Sequence, residues 1–199
     1  MIRAAAAGWP IAAAALFLLF GCTGGTGGHR QISGLDPAAS PPTSERANLG
    51  GLALPVTVSA EHAADELRVN VKGPHEVYWT ESYLTKRDGF YFMRGAGDEF
   101  EPPIRILPTE PSAGATWSWK GKISSGGGLM PASATITTGD DNVYVGQIGM
   151  DALRVRVDIS IPDAAGHEAQ REMTFWFASG HGIVQAKFGS GSERYSGGG

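Results

Sequence analysis

The chain has one cysteine, Cys22, in 199 residues. A lone cysteine excludes an intramolecular disulfide and any metal site built from several thiolates. Runs of basic residues are missing as well. The 16 Lys and Arg are outnumbered by 20 Asp and Glu, for a formal charge of −4, so nothing electrostatic draws the protein to nucleic acid. No Gly-x-Ser-x-Gly stands before a helical pattern. The Gly189-Ser190-Gly191-Ser192 stretch runs into a tail, which removes the strand-to-helix setting of a hydrolase nucleophile. His29, His62, His75, His167 and His181 never recur at i, i+2 or i, i+4, the spacings that aim two imidazoles at one metal. The acidic stretches Asp98-Glu99-Phe100-Glu101 and Asp140-Asp141-Asn142 lack the ligand spacing and bend glycine of a calcium loop, and read as solvated turns. Sustained 3.6-residue periodicity is absent after the N-terminus; residues 60–66 could form a turn or two of helix at most.

The N-terminus differs from the rest. Arg3 precedes an apolar stretch that Pro10 interrupts and that resumes over residues 11–20. This is shorter than the roughly 20 residues of a membrane-spanning helix and suits the core of a secretion signal. The stretch ends in Leu19-Phe20-Gly21-Cys22, which resembles the lipobox of bacterial lipoproteins. Leu19 and Gly21 fit that pattern, while Phe20 is larger than the residue usual there. The resemblance implies cleavage after residue 21, acylation of Cys22, and a membrane as partner through those acyl chains. Two or three chains anchor firmly where one anchors marginally. By the family's sorting rule Thr23, which is not Asp, implies the outer membrane, facing the periplasm, if the host is Gram-negative.

Residues 22–50 are rich in Gly, Ser, Pro and Ala and carry no hydrophobic period, the composition of a flexible tether with an r.m.s. span of roughly 30 Å. Residues 189–199 form a second Gly/Ser tail. Between them, residues 51–188 read as one β-domain. Leu67, Val69 and Val71 alternate with polar neighbours. Trp117, Trp119, Gly121 and Ile123 share one face, opposite Thr116, Ser118, Lys120 and Lys122. Leu153, Val155, Val157, Ile159 and Ile161 alternate with polar or charged residues. Period two over that length describes a sheet with one wet and one buried face. Asp88-Gly89, Gly139-Asp140-Asp141-Asn142 and residues 162–166 have turn compositions. Gly180-His181-Gly182 reads as a tight turn that points His181 outward. The expected fold is mainly β, a single domain of antiparallel meander strands with little helix outside the signal peptide.

Leu107-Pro108 followed by Gly114-Ala115-Thr116-Trp117-Ser118-Trp119 resembles the Leu-Pro … Gly-x-x-Trp-x-Trp entry of a loosely defined group of secreted bacterial β-sheet proteins, many of them uncharacterised lipoproteins. Residues 174–184, from Thr174 through Trp176 and Gly180 to Val184, are similar to that group's ending. The resemblance implies a curled sheet or half-barrel, like those of lipoprotein carriers, and brings no catalytic residues or cofactor with it.

Aromatic residues cluster at Tyr78, Trp79, Tyr83, residues 90–92, Trp117, Trp119 and residues 175–177. They are core packing, or they line a groove in the curled sheet, in which case Trp117, Trp119 and Trp176 would meet a hydrophobic ligand. The expectation is therefore a membrane-anchored, non-enzymatic envelope lipoprotein that binds a hydrophobic small molecule or an envelope protein. Two alternatives stay open: a periplasmic enzyme using carboxylate or His181 chemistry, and a structural scaffold of an envelope complex.

Overall fold

The computed structural model describes residues 35, 37, 39, 46–49, 52–75, 77–125, 128–145, 147–162, 167–189 and 192–193. The segment expected to be a secretion signal and Cys22 lie outside them. Among the described residues no helix is long and apolar enough to cross a membrane.

Alternating side chains place a strand wherever one face can be buried, and every regular element among the described residues is a strand. A short hairpin, β1 (Arg46–Leu49) and β2 (Leu52–Pro55), stands apart. The main sheet runs through β3 (Thr57–Ala63), β4 (Glu66–Lys72), β5 (Val77–Lys86), β6 (Gly89–Gly95), β7 (Asp98–Pro108), β8 (Thr116–Ser125) and β9 (Gly128–Val145). It continues with β10 (Ile148–Pro162), β11 (Glu168–Ala178), β12 (Gly182–Phe188) and β13 (Ser192–Glu193). These eleven strands lie in chain order, each antiparallel to the next. The fold is thus the expected antiparallel meander, curled into a half-barrel.

Register shifts in the β4–β5, β5–β6, β6–β7 and β11–β12 ladders add the local twist that bulges supply. The curl brings β5 and β6 onto β11 although β7 to β10 separate them in the sheet. Tyr83 meets Phe175 at 6.3 Å, Phe90 meets Phe177 at 6.2 Å and Phe92 meets Phe175 at 5.3 Å between ring centroids. The concave face is therefore one continuous core, joined by Leu153, Val155, Val157 and Ile159 of β10. On β8 the predicted division holds: Trp119 and Ile123 are buried while Thr116, Ser118, Lys120 and Lys122 are exposed.

Two local expectations are corrected. Residues 60–63 belong to β3, not to a helical turn, because β4 pairs with them throughout. Gly139-Asp140-Asp141-Asn142 is no turn: β9 continues through it, paired residue for residue with β10, and the reversal comes between Val145 and Ile148. Some described residues lie before residue 51 and after residue 188. Leu35 packs on the core, and β1 and β13 form inside the segments read as tether and tail. At Gly182 (φ +63°) a Cβ would lie 2.4 Å from the Ala39 carbonyl oxygen, so glycine there admits the segment preceding β1.

Candidate functional site

Trp117 and Trp119 occupy the concave face of β8, as their spacing requires. They stand at a split in the sheet. The β7–β8 ladder covers only Asp98 to Glu101 against Ser125 to Lys122, because Pro102 and Pro103 have no N–H to donate and turn β7 away. Beyond the prolines β7 pairs with β6 alone. The two indoles fill the gap: Trp119 Nε1 donates to the Pro102 carbonyl at 2.9 Å and Trp117 Nε1 to that of Arg105 at 2.8 Å. They give these two carbonyls donors where the β7–β8 ladder has stopped. Trp119 is 8% exposed and meets Phe100 edge-on. Both tryptophans hold the sheet together.

Trp176 is not with them. It lies on the opposite, convex face, over a small cluster of Val143, Ala152, Ala178 and Val184. Its Nε1 donates to Asp141 Oδ2 at 2.9 Å. The Trp176 indole is the main reason the Asp141 carboxyl is held below its ordinary range; the Asn142 N–H and Arg154 act in the same direction, and partial burial opposes them. The structure therefore divides the three expected ligand residues between two faces. His181 sits exposed in the β11–β12 turn, its N–H bonded to the Ala178 carbonyl.

The open end of the half-barrel is a different place. A cleft of ≈ 350 Å³ lies between the β6–β7 turn and the ends of β10 to β12, lined by Ala96, Asp98, Ile159, Arg171, Met173 and Phe188 among others. Its apolar floor leads directly into the core, because Phe188 meets Phe92 and Phe175, each at 5.8 Å. Arg171 pairs in register with Ile159 and so points to the concave side. It crosses the mouth to Asp98, joining β11 to the start of β7. The turn that presents Asp98 is a two-residue connection, Ala96 at φ 54° and Gly97 at φ 86°, the left-handed pair of a type I′ hairpin.

No protein-family model matches the chain, and no curated relative is found. Among solved structures it is similar to the hypothetical lipoprotein YmcC from Escherichia coli, at 13% identity and a TM-score of 0.46, over 83% of this chain and 89% of that one.

Sequence reasoning missed Glu81. It lies on the concave face of β5 between Trp79 and Tyr83 and is fully buried. Trp79 Nε1 donates to Oε1 at 2.8 Å and the Tyr83 hydroxyl to Oε2 at 2.7 Å. Burying a carboxylate is costly unless it is hydrogen-bonded, and here both oxygens are engaged. Gly95 makes the room, since a Cβ there would lie 2.7 Å from Glu81 Cγ. The available signal was the alternation Trp79-x-Glu81-x-Tyr83, which puts an acid on a face otherwise apolar. A second missed feature is the convex face of β4 to β6, where Arg68, Lys72 and Arg94 surround a hollow. The alternation of β4 was legible, but the partner strands that complete the hollow were not.

Proposed function

We propose that this protein is a membrane-anchored envelope lipoprotein, acylated at Cys22, whose β-domain is a non-catalytic receptor for a hydrophobic ligand. One observation carries the ligand: the cleft at the open end of the half-barrel, whose floor of Ile159, Met173 and Phe188 continues into the aromatic core. An apolar recess rimmed by a few charged groups is the usual form of a small-molecule site. Ligand would enter beside the Asp98–Arg171 pair and lie against Met173, in place of the tryptophan faces suggested by composition. Anchoring by acyl chains would put the recess in reach of membrane-derived ligands.

The test is saturable binding of a fluorescent fatty acid, read together with the melting temperature. Wild type is expected to bind saturably. Met173→Gln, which keeps the side-chain length and adds polarity, should weaken binding about tenfold, a difference of roughly 1.4 kcal/mol. Wild type showing no saturable binding, or equal affinity in a folded Met173→Gln variant, would sink the reading.

A second reading has its own observation. Tyr144 and Ile148, 66% and 69% exposed, flank the β9–β10 reversal beside the convex cluster. An exposed apolar tip of this kind suits contact with an envelope partner. Loss of partner capture in Tyr144→Ser/Ile148→Ser, with fatty-acid binding intact, would favour it.

A further inference from the structure

The convex face of β3 to β6 is polar by alternation, yet part of it is buried. Arg68, Asn70 and Lys72 point outward from β4 while Leu67, Val69 and Val71 enter the core. In register with them, β5 presents Thr80 opposite Asn70 and Ser82 opposite Arg68, and β6 adds Arg94 opposite Ser82. Together with Glu61 and Val77 these residues, except the buried Ser82, line a hollow of ≈ 600 Å³.

The floor of this hollow is organised. Asn70 is 9% exposed; its amide donates to Glu61 Oε1 at 3.0 Å and its carbonyl accepts from the Thr80 hydroxyl at 2.8 Å. Ser82 is fully buried, and its hydroxyl accepts from Arg94 Nε at 3.1 Å. Ser59, opposite Asn70 on β3, has a buried hydroxyl with no hydrogen-bond partner among the described residues.

The cations are unequally used. Arg68 is spent on Glu66, with bonds of 2.8 and 3.1 Å to its two oxygens. Lys72 and Arg94 make no direct ion pair among the described residues, although Arg94 stands opposite Glu99 in register and its charge acts on Glu66; only its Nε is hydrogen-bonded there, to Ser82. Two cations with no direct ion pair, over a buried amide and hydroxyl floor, offer the donors a compact anion needs. Arginine's planar fork suits tetrahedral phosphate oxygens.

We infer that this hollow binds a phosphate group, with Arg94 and Lys72 as the direct contacts, Arg68 at the rim, Asn70 and Thr80 forming the floor, and Ser82 fixing Arg94 from beneath. Glu61, Glu66 and Glu99 temper the positive field, and Glu61 keeps the Asn70 amide fixed. The phosphate belongs either to a lipid headgroup or to a small soluble phosphate. The site is on the face opposite the hydrophobic recess and does not depend on it.

The full-length chain in neutral detergent micelles is titrated calorimetrically with inorganic phosphate and, separately, with short-chain phosphatidylglycerol added to the micelles. Saturable binding of either supports the inference, and the arm that responds names the source. Arg94→Gln and Lys72→Gln should each weaken that binding about tenfold or more while the melting temperature stays near wild type. Lys120→Gln, on the exposed face of β8 away from the hollow, should leave affinity unchanged. Absence of saturable binding in both arms overturns the inference. So does an equal loss in Lys120→Gln, because binding would then follow net charge and not this site.

Discussion

Asp141 stands in a stretch whose composition reads as a turn, yet it is fixed within β9 by three neighbours. Its Oδ2 accepts from the Trp176 indole at 2.9 Å, its Oδ1 from the Asn142 N–H at 2.9 Å, and Arg154 lies 3.5 Å away. The indole bond, aided by the Asn142 N–H and Arg154, lowers its pKa against partial burial. A carboxyl whose folded pKa lies below the unfolded value near about 3.9 adds stability that is present above that value. The stability is lost as pH falls through the folded value. Asp141→Asn keeps an acceptor for the indole but removes the charge. The melting-temperature gap between wild type and Asp141→Asn should therefore be open at pH 7 and close as pH drops below about 4. A gap constant from neutral to acid pH would show that the charge contributes nothing to the convex cluster. No local feature announced this role, because Trp176 reaches Asp141 only through the pairing of β9, β10 and β11.

Strands whose pattern is strictly local were legible at the level of single faces. β8 and β10 follow period two, and their buried and wet residues fall where alternation puts them. The split between β7 and β8 was not legible as a structure, though its cause, Pro102-Pro103, was in plain view. What the sequence could not convey is that tryptophans from the next strand would satisfy the carbonyls the prolines leave. The continuation of β9 through Asp140 to Asn142 was hidden for a similar reason, since pairing with β10 outweighs local turn preference. At the foot of the split β7 and β8 come unusually close: a Cβ at Gly121 would lie 2.4 Å from the Glu101 carbonyl oxygen and 2.5 Å from a Trp119 ring carbon. Backbone cannot yield cheaply. Gly121→Ala is therefore expected to destabilise by about 1–3 kcal/mol, the range for overpacking, measured by urea unfolding. Gly128→Ala, where a Cβ would meet nothing within 4 Å, should change stability by no more than about 0.5 kcal/mol. Equal stabilities for the two variants would mean that β7 is free to move off β8.

At the scale of the whole molecule the sheet is open, with β3 and β13 at its two ends, so something other than ladder closure must hold the curl. The ring contacts between β5–β6 and β11–β12 are one agent and the Asp98–Arg171 pair is the other. Neither the curl nor the recess beneath it could be read from strand patterns, which do not say how sharply a meander bends. Exposed ion pairs are generally worth about 0–1 kcal/mol, but Asp98 is shielded, its side chain 11% exposed against 40% for Arg171. Because Arg171 makes further interactions, its single substitution overstates the pair, and a double-mutant cycle is the appropriate measure. Asp98→Asn, Arg171→Gln and the double variant should give a coupling of about 1 kcal/mol at pH 7, and it should shrink in high salt because the pair is partly solvated. Breaking the pair should also speed amide hydrogen exchange in the β6–β7 turn while leaving β9 and β10 protected, since a segment opens more readily once the interaction that tied it down is gone. If the coupling is absent and exchange at the turn is unchanged, the aromatic rings alone set the curl. The mouth would then stand open without regard to charge, and ligand entry in the proposed receptor should be insensitive to salt.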